Sequence, residues 1–284
     1  MMTIVEKAPA KINLQLSVGP RRADGYHELV SVMQTVDVCD TLTVTAHTGG
    51  GIILTCTDPA LSTGEDNLVY RAAALFFQRT GLPPEGVTLH LEKVIPMQAG
   101  LGGGSADAAA ALRALRRLYA PALPDGALET MAAALGSDVP FCIRGGTALA
   151  AGRGEKLSPL PPLPKCWAVL VKPHEAYSTA AMYRRIDDTA CYDPLDAAPM
   201  VSAITAGDLP GVCAAMTNTF EKVLPPDAAT ATLCRRLKEQ GAMGAMLSGS
   251  GSAVFGLFAS REGAARGAAA MQTEQTVSFF GRVI

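Results

Sequence analysis

The chain has 284 residues, of which 49% are hydrophobic, and its formal net charge is −2 at pH 7. This length predicts one large or two ordinary globular domains, and the near-neutral charge argues against an extended basic surface for nucleic acid. No apolar run approaches the length of a membrane span. Glu6 stands where a signal peptide would have its apolar run, and the seven scattered cysteines contain no C-x-x-C pair. We therefore expect reduced thiols in a cytoplasmic protein without a zinc site.

The first predicted strand covers residues 11–16, where apolar and polar residues alternate. Period-two geometry places the polar residues Lys11 and Asn13 on one face of this strand. A solvated face at the edge of a sheet would explain the same pattern without any function. These residues alone leave both interpretations open.

A turn glycine, Gly25, is followed directly by Tyr26 and His27. The planar ring of a tyrosine can stack on a nucleobase while an imidazole forms hydrogen bonds with the edge of that base. Half-buried packing next to the turn is the alternative interpretation.

A helix is predicted over residues 67–78, before Gly81, and a half-buried strand over residues 87–92. A glycine-rich loop follows, and apolar residues then recur at helical spacing, with Ser105 as the expected N-cap. The loop consists of Pro96, Met97, Gln98, Ala99, Gly100, Leu101, Gly102, Gly103, Gly104, Ser105 and Ala106. Unshielded N–H groups at the start of a helix predict a phosphate site, and a tight helix-packing connection is the alternative.

This loop matches neither the Walker A pattern nor the G-x-G-x-x-G pattern of dinucleotide-binding folds. Asp107, in the first helical turn, would repel a nearby phosphate, so it either points away or helps to hold a cation. A side chain at Gly103 is expected to occupy the space of the phosphate.

A second helix is predicted around residues 128–135, and Asp138 follows in a loop that enters an apolar segment. A carboxylate close to a phosphate site can accept the proton of an attacking hydroxyl, although an aspartate before a proline turn is more often a cap. The four prolines within residues 157–164 predict a stiff interdomain linker, with a PxxP ligand as the alternative.

The last part of the chain predicts a strand over residues 167–171 and a helix over residues 228–240 that Asp227 caps. Two short apolar strands then flank the serine–glycine turn 248–252, which is a hairpin turn or a second anion-binding nest. Strands and helices are mixed without a regular βαβ alternation, which favours the α+β class.

Taken together, these elements resemble the GHMP small-molecule kinases. The residues that carry the resemblance are Ala8–Leu14, Arg22–His27, Pro96–Ala106, Gly136–Phe141 and Ser248–Ser252. The resemblance implies an α+β, two-domain GHMP kinase fold with the active site in the interdomain cleft. It also implies an N-terminal ATP-binding domain over residues 1–156 and a C-terminal domain over residues 157–284 that completes the substrate cleft.

The resemblance implies phosphoryl transfer from ATP, with Mg²⁺ carried by the nucleotide, to a hydroxyl of a small molecule. It assigns the glycine-rich loop to the ATP phosphates, Asp138 as general base and Lys11 beside it. The Gly-Tyr-His and Gly-Ser-Asp-Val-Pro-Phe elements are similar to those of members that act on cytidine-diphosphate methylerythritol. For such a substrate, the implied binding residues are Asn13, Tyr26, His27, Thr179, Tyr183, Ser248 and Gly249.

The resemblance indicates no dedicated protein ligand for the metal, and no nucleic-acid, membrane or protein partner. Two other functions compete with this interpretation. One is a sibling kinase that acts on another small alcohol, such as mevalonate, homoserine or galactose. The other is a non-catalytic nucleotide-binding regulator on the same fold.

Overall fold

A computed structural model describes residues 2–82 and 86–284. The chain forms two compact units. The first unit contains the described residues of Met1–Ala10, Cys39–Met97 and Gly102–Arg144, and the second contains Lys11–Val38, Gln98–Leu101 and Gly145–Ile284. This division differs from the expected boundary between residues 156 and 157, because three segments that precede residue 157 pack with the second unit.

The secondary structure alternates between strands and helices without a regular repeat. The strands are β1 (Thr3–Arg21), β2 (His27–Ala46), β3 (Ile52–Cys56), β4 (Val87–Glu92), β5 (Thr147–Gly152), β6 (Lys156–Pro159), β7 (Trp167–Pro173), β8 (Thr217–Asn218), β9 (Gly244–Leu247), β10 (Val254–Phe258) and β11 (Thr276–Arg282). The helices are α1 (Leu68–Thr80), α2 (Gly103–Tyr119), α3 (Asp125–Leu135), α4 (Val139–Arg144), α5 (Thr179–Thr189), α6 (Ala198–Thr205), α7 (Leu209–Ala215), α8 (Thr230–Glu239) and α9 (Arg261–Met271), with a 3₁₀ helix at Thr219–Val223.

In the first unit, helices α1 to α4 pack together beside a three-stranded arrangement in the order β3-β4-β2. Residues 41–46 of β2 pair antiparallel with β4, and β3 pairs parallel with β4. Helix α1 begins after Asn67, whose Oδ1 accepts a hydrogen bond from the Val69 N–H at 2.8 Å. The helix ends at Gly81, which has the left-handed φ of 68° that favours glycine.

In the second unit, the antiparallel sheet β11-β7-β10-β9 is packed by helices α8 and α9. The remaining strands of this unit include residues 29–34 of β2, which pair antiparallel with β5, and β6, which pairs with β5. On the other side of β2 lies β1, and the short β8 pairs parallel with β1 at Gln15 and Leu16. This pairing makes β1 an internal strand of the sheet.

The predicted α+β class is confirmed, because largely antiparallel sheets combine with helices that do not form a βαβ series. The predicted linker at residues 157–164 is wrong for its first residues, which belong to the edge strand β6. Pro159 is the last residue of that strand, a position that tolerates a missing N–H group. The next residue, Leu160, donates its N–H to the Thr147 carbonyl at 2.9 Å.

Two predicted helix caps are also wrong. Helix α2 begins at Gly103, and the capping residue is Gly102 with a φ of 70°, so Ser105 lies inside the first turn. Helix α8 begins at Thr230 after Ala229, two residues beyond the predicted cap Asp227. A glycine can enter a helix through positive φ, which removes the need for a capping side chain at α2.

No helix within residues 2–82 and 86–284 combines the length and the apolar character that crossing a membrane requires.

Candidate active site

The glycine-rich loop leads into α2, whose first-turn N–H groups have no partner within the helix. The first N–H that donates within this helix is that of Ala106, to the Gly102 carbonyl at 2.8 Å. The N–H groups of Gly103, Gly104 and Ser105 precede this bond, and Gly104 is exposed. Together with the positive end of the helix dipole, this turn has the properties of an anion-binding site.

The expected role of Gly103 needs correction. A Cβ atom at Gly103 would lie 3.2 Å from Ile95 Cγ2 and 3.4 Å from Lys93 Nζ. Both neighbours belong to the interior of the first unit, so a side chain at this position would face the interior rather than a bound phosphate. A side chain at Gly103 would require Ile95 or Lys93 to shift by a few tenths of an ångström.

The preceding part of the loop, residues 98–101, belongs to the second unit and packs against the turn 248–252. Ser248 Oγ donates a hydrogen bond to the Gly100 carbonyl at 2.9 Å, and the Ala253 N–H donates to the Ala99 carbonyl at 3.1 Å. Gly100 has a φ of 74°, and a Cβ atom there would overlap the carbonyl oxygen of Ser248. The turn therefore holds this half of the loop by direct backbone contact.

The hydroxyl groups of the same turn are engaged within the protein. The Ser250 and Thr179 hydroxyl oxygens are 2.9 Å apart, and Ser252 Oγ donates to the Glu175 carbonyl. Gly249 has a φ of 55°, and its carbonyl accepts a hydrogen bond from Asn218 Nδ2 at 2.9 Å. The predicted hairpin turn is thus confirmed, since it joins β9 and β10.

The polar face of β1 is buried, which excludes the solvated edge as an explanation of its pattern. Lys11 and Asn13 are 5% and 4% exposed, and Lys11 Nζ donates to Asn13 Oδ1 at 2.8 Å. Asn13 Nδ2 donates in turn to Ser31 Oγ at 2.8 Å. The predicted placement of Lys11 and Asn13 on one face is confirmed, and the Lys11 ammonium is held within a buried polar chain.

The structure brings His27 and Tyr183 together. Their rings stack with centroids 5.0 Å apart, and the Phe220 ring packs edge-on against Tyr183 at 5.1 Å. His27 Nδ1 lies 2.9 Å from the Gly19 carbonyl, which can only accept, so Nδ1 carries the proton in this contact. His27 Nε2 lies 3.3 Å from Asp187 Oδ1. Both ring nitrogens therefore already have partners within the protein.

His27 is buried at the start of β2, whereas Tyr26, just before the strand, is exposed. Its ring is 55% exposed, and the Arg153 guanidinium lies 4.7 Å from the ring centroid. An exposed aromatic face beside a cation is a suitable platform for a planar ligand.

Asp138 directly precedes α4 in the first unit and is half-buried. Its carbonyl accepts the first hydrogen bond of the helix, from the Cys142 N–H at 3.1 Å, so it occupies the N-cap position. Arg113 of α2 donates to the carbonyl of the same Cys142 at 2.7 Å and to the Lys7 carbonyl at 2.8 Å. The arginine thereby ties the end of α4 to α2 and to β1.

Sequence reasoning missed a buried charged cluster next to the start of α2, which we call the Lys93 cluster and which consists of Lys93, Asp40 and Asp107. Lys93 Nζ donates to Asp107 Oδ2 at 2.7 Å and also to Asp40 Oδ2. Asp40 is 0% and Asp107 2% exposed. Asp107 thus points into the interior, which agrees with the first of the two alternatives expected for it.

Burial raises the pKa of Asp107, Lys93 opposes this effect and nearby Asp40 adds to it, and the net result is a pKa of about 7. Burial alone would lower the pKa of Lys93, but the two carboxylates outweigh it and raise that pKa. A signal for the cluster existed in the sequence. Val38, Asp40 and Leu42 are alternate residues of β2 and so lie on one face of the strand, and both Val38 and Leu42 are buried. A charged residue on such an apolar face needs a partner.

Within residues 2–82 and 86–284, no three or more histidine, cysteine, aspartate or glutamate side chains form a group that could hold a metal ion. We assign no residue to a metal.

Two family models match the chain. The GHMP kinases N terminal domain matches residues 67–146, and the GHMP kinases C terminal matches residues 200–276. The first match includes the glycine-rich loop and Asp138, and the second includes the turn 248–252.

Curated relatives match almost the whole chain. A protein of Heliobacterium modesticaldum named 4-diphosphocytidyl-2-C-methyl-D-erythritol kinase is 45% identical over 94% of this chain and 90% of its own. A protein of Moorella thermoacetica with the same name is 46% identical over 93% of each chain.

Solved structures are also similar over almost the whole chain. A crystal structure of 4-(cytidine 5'-diphospho)-2C-methyl-D-erythritol kinase superimposes with a TM-score of 0.85 at 36% identity, over 99% of both chains. The mevalonate kinase of L. major has a TM-score of 0.77 at 18% identity, over 99% of this chain and 96% of its own, which shows a shared fold alone. On these matches, the chain belongs to the GHMP kinase family and is a small-molecule kinase.

Proposed function

We propose that this kinase transfers the γ-phosphoryl group of ATP to a hydroxyl of 4-diphosphocytidyl-2-C-methyl-D-erythritol, in the non-mevalonate route to isoprenoid precursors. The observation that carries the proposal is the 45–46% identity, over more than nine-tenths of the chain, to relatives named for that substrate. The mevalonate kinase shares the fold at 18% identity and so carries no information on the acceptor.

ATP, delivered with Mg²⁺, would bind its phosphates at the glycine-rich loop. The N–H groups of Gly103, Gly104 and Ser105 would supply charge-assisted hydrogen bonds, each worth about 1.5–3 kcal/mol. We propose that this nucleotide site lies within residues 1–156, which include the whole glycine-rich loop.

Asp138 would act as general base, and Lys11 would act beside it. As the acceptor oxygen attacks the γ-phosphorus, its proton passes to the Asp138 carboxylate, and the bond from phosphorus to the leaving oxygen of ADP breaks. The buried Lys11 ammonium would offset negative charge on the transferring group. Asp138→Asn is therefore expected to lower kcat by about 10²- to 10⁴-fold with little change in ATP affinity. Activity within a few-fold of the parent enzyme would remove Asp138 as the base.

The cytosine end of the acceptor would bind around Tyr26, whose exposed ring supports a stacking role. His27 and Tyr183 would form the neighbouring wall. Both His27 ring nitrogens have partners within the protein. A hydrogen bond from His27 to the edge of the cytosine therefore requires its Nε2 to give up the contact with Asp187. Asn13 would bind the methylerythritol part, and Thr179, Ser248 and Gly249 would help to order the diphosphate.

The experiment is ADP release from Mg-ATP with 4-diphosphocytidyl-methylerythritol, run beside mevalonate, homoserine and galactose. Asp138→Asn serves as the background control for contaminating kinases. Turnover with the cytidylated acceptor alone supports the proposal. Turnover with another alcohol instead would overturn the substrate and keep the kinase chemistry.

We also infer a cytoplasmic location and a small-molecule acceptor without a protein or nucleic-acid partner. The location follows from the single, scattered cysteines of the sequence, and the small-molecule acceptor follows from the names of the relatives.

A further inference from the structure

The Lys93 cluster connects the two flanks of the phosphate loop within the first unit. Asp40 Oδ1 accepts hydrogen bonds from the Val94 and Ile95 N–H groups at 2.5 and 2.8 Å, which holds the segment that leads into the loop. Asp107 belongs to α2, the helix that follows the loop in the chain. Lys93 Nζ binds both carboxylates, so a single ammonium joins the entry of the loop to its exit.

The cluster is unbalanced in charge and in hydrogen bonding. Two carboxylates share one ammonium, which leaves a net buried charge of −1 when all three groups are ionised. Asp107 Oδ1 is buried and has no hydrogen-bond partner among the described residues. A buried ionised oxygen without a partner is costly, and a proton on Asp107 would remove the excess charge.

Two charged groups act on the Asp107 carboxyl: Lys93 at the end of β4 and Asp40 on β2. Their opposing effects and the burial together raise the pKa of Asp107 to about 7. The protonation of the cluster therefore changes within the physiological pH range.

We propose that Asp107 is a positioning residue that couples its own protonation to nucleotide binding at the loop, with the neutral carboxyl favouring bound phosphates and the ionised carboxylate disfavouring them. This inference rests on the proposed nucleotide site. Asp107 lies four residues beyond Gly103, about 6 Å along the helix axis. An ionised carboxylate at that depth opposes the positive end of the helix dipole, which attracts the phosphates.

The sign of the effect follows from linkage. If phosphates favour the protonated form of Asp107, binding raises the proton affinity of Asp107, and nucleotide affinity must fall as pH rises through about 7. Two charges about 8–10 Å apart in a medium of intermediate dielectric change an equilibrium by about three- to ten-fold.

The test is the Kd of MgADP, measured by calorimetry between pH 6 and 8.5 at saturating Mg²⁺ for the parent protein and Asp107→Asn. The amide is neutral at every pH and can donate to Asp40 as a protonated carboxyl would. We expect the parent affinity to fall about three- to ten-fold across this range and D107N to hold near the low-pH value. Protonation of MgADP itself changes the Kd equally for both proteins, so the ratio of the two Kd values isolates the effect of Asp107.

Asp125→Asn is the matched control, because it removes an exposed carboxylate of the same unit whose partner is Arg116. We expect it to follow the parent pH dependence. Asp40→Asn is a second variant, which leaves one carboxylate for one ammonium. It should move the change in affinity to lower pH, since the repulsion that raises the pKa of Asp107 is gone.

Two results overturn the inference alone: an equal pH dependence in the parent and D107N, or an unshifted transition in D40N. If the parent protein binds no MgADP at any pH, the inference and the proposed nucleotide site both fail. If MgADP binds but the acceptor panel gives no turnover, only the proposed reaction fails.

Discussion

The two halves of the glycine-rich loop are held by different forces. Residues 98–101 are held by backbone contact and neutral hydrogen bonds: the Gly100 carbonyl accepts from Ser248 Oγ, and the Leu101 carbonyl accepts from the Lys11 N–H. The start of α2 lies instead over the Lys93 cluster, where charges meet in a buried site.

This difference teaches that glycine serves separate purposes within one motif. Gly100 is required by its positive φ and by the close approach of the Ser248 carbonyl. Gly103 leaves room for the nearby side chains of Ile95 and Lys93, which an added Cβ would have to displace slightly. Substitutions in the first half should therefore change stability equally at any pH, whereas the effect of substitutions in the second half should depend on pH.

The largest expected effect is that of Gly100→Ala. The added Cβ would overlap the Ser248 carbonyl oxygen and lie 2.9 Å from its carbon, at a φ that alanine rarely adopts. We expect the free energy of unfolding to fall by more than about 4 kcal/mol. Denaturant titration followed by circular dichroism measures it.

Gly104→Ala is the matched control for that prediction. Its Cβ would make an ordinary contact, 3.5 Å from Leu68 Cδ1, inside a helix that alanine favours. We expect its stability to stay within about 1 kcal/mol of the parent. Equal stabilities for the two variants would contradict the assignment of Gly100 to a close backbone contact.

The second prediction concerns the charged half of the loop. The pKa of Asp107 is raised to about 7 in the folded chain from an ordinary value of 3.8. Between these values the folded state holds a proton that the unfolded state has lost, so the contribution of Asp107 to stability falls as pH rises. Asp107→Asn removes this pH-dependent contribution. The free energy of unfolding of the variant minus that of the parent should therefore rise by up to about 4 kcal/mol between pH 4 and 7.

Chemical denaturation of the two proteins at half-unit pH steps measures this difference. Asp125→Asn provides the control, because its exposed carboxylate has no such buried cost. A constant difference between D107N and the parent across the range would show that Asp107 ionises normally in the folded chain.

Much of the fold could be predicted from local patterns. The alternation over residues 87–92 predicted β4, and the helical spacing with Gly81 predicted α1 nearly to its ends. The hairpin around 248–252 followed from two short apolar runs. Each of these signals lies within about a dozen residues, where the chain itself sets the period.

The remainder depends on partners that are distant in the sequence. The sequence left a solvated edge strand open as an interpretation of β1, because the two residues of β8 that pair with its edge lie about 200 positions later and have no period of their own. The glycines revealed the loop in the sequence. What a Cβ at Gly103 would contact depends on the position of Ile95 in the fold, which the local pattern does not give. The roles of Lys11 and Asp138 stay predictions from the resemblance.

The smallest expected effect is that of Ser248→Ala in the first half of the loop. Ser248 is buried, and its hydroxyl donates to the Gly100 carbonyl at 2.9 Å. Removing this neutral hydrogen bond should lower the free energy of unfolding by about 1 kcal/mol. Because neither partner titrates, the loss should be the same at pH 6 and pH 8, in contrast to the Asp107 variant. Ser158→Ala, on the exposed edge strand β6, should change nothing at either pH. A loss that varied with pH would mean that the neutral half of the loop also depends on the Lys93 cluster, and the separation of the two halves would then be wrong.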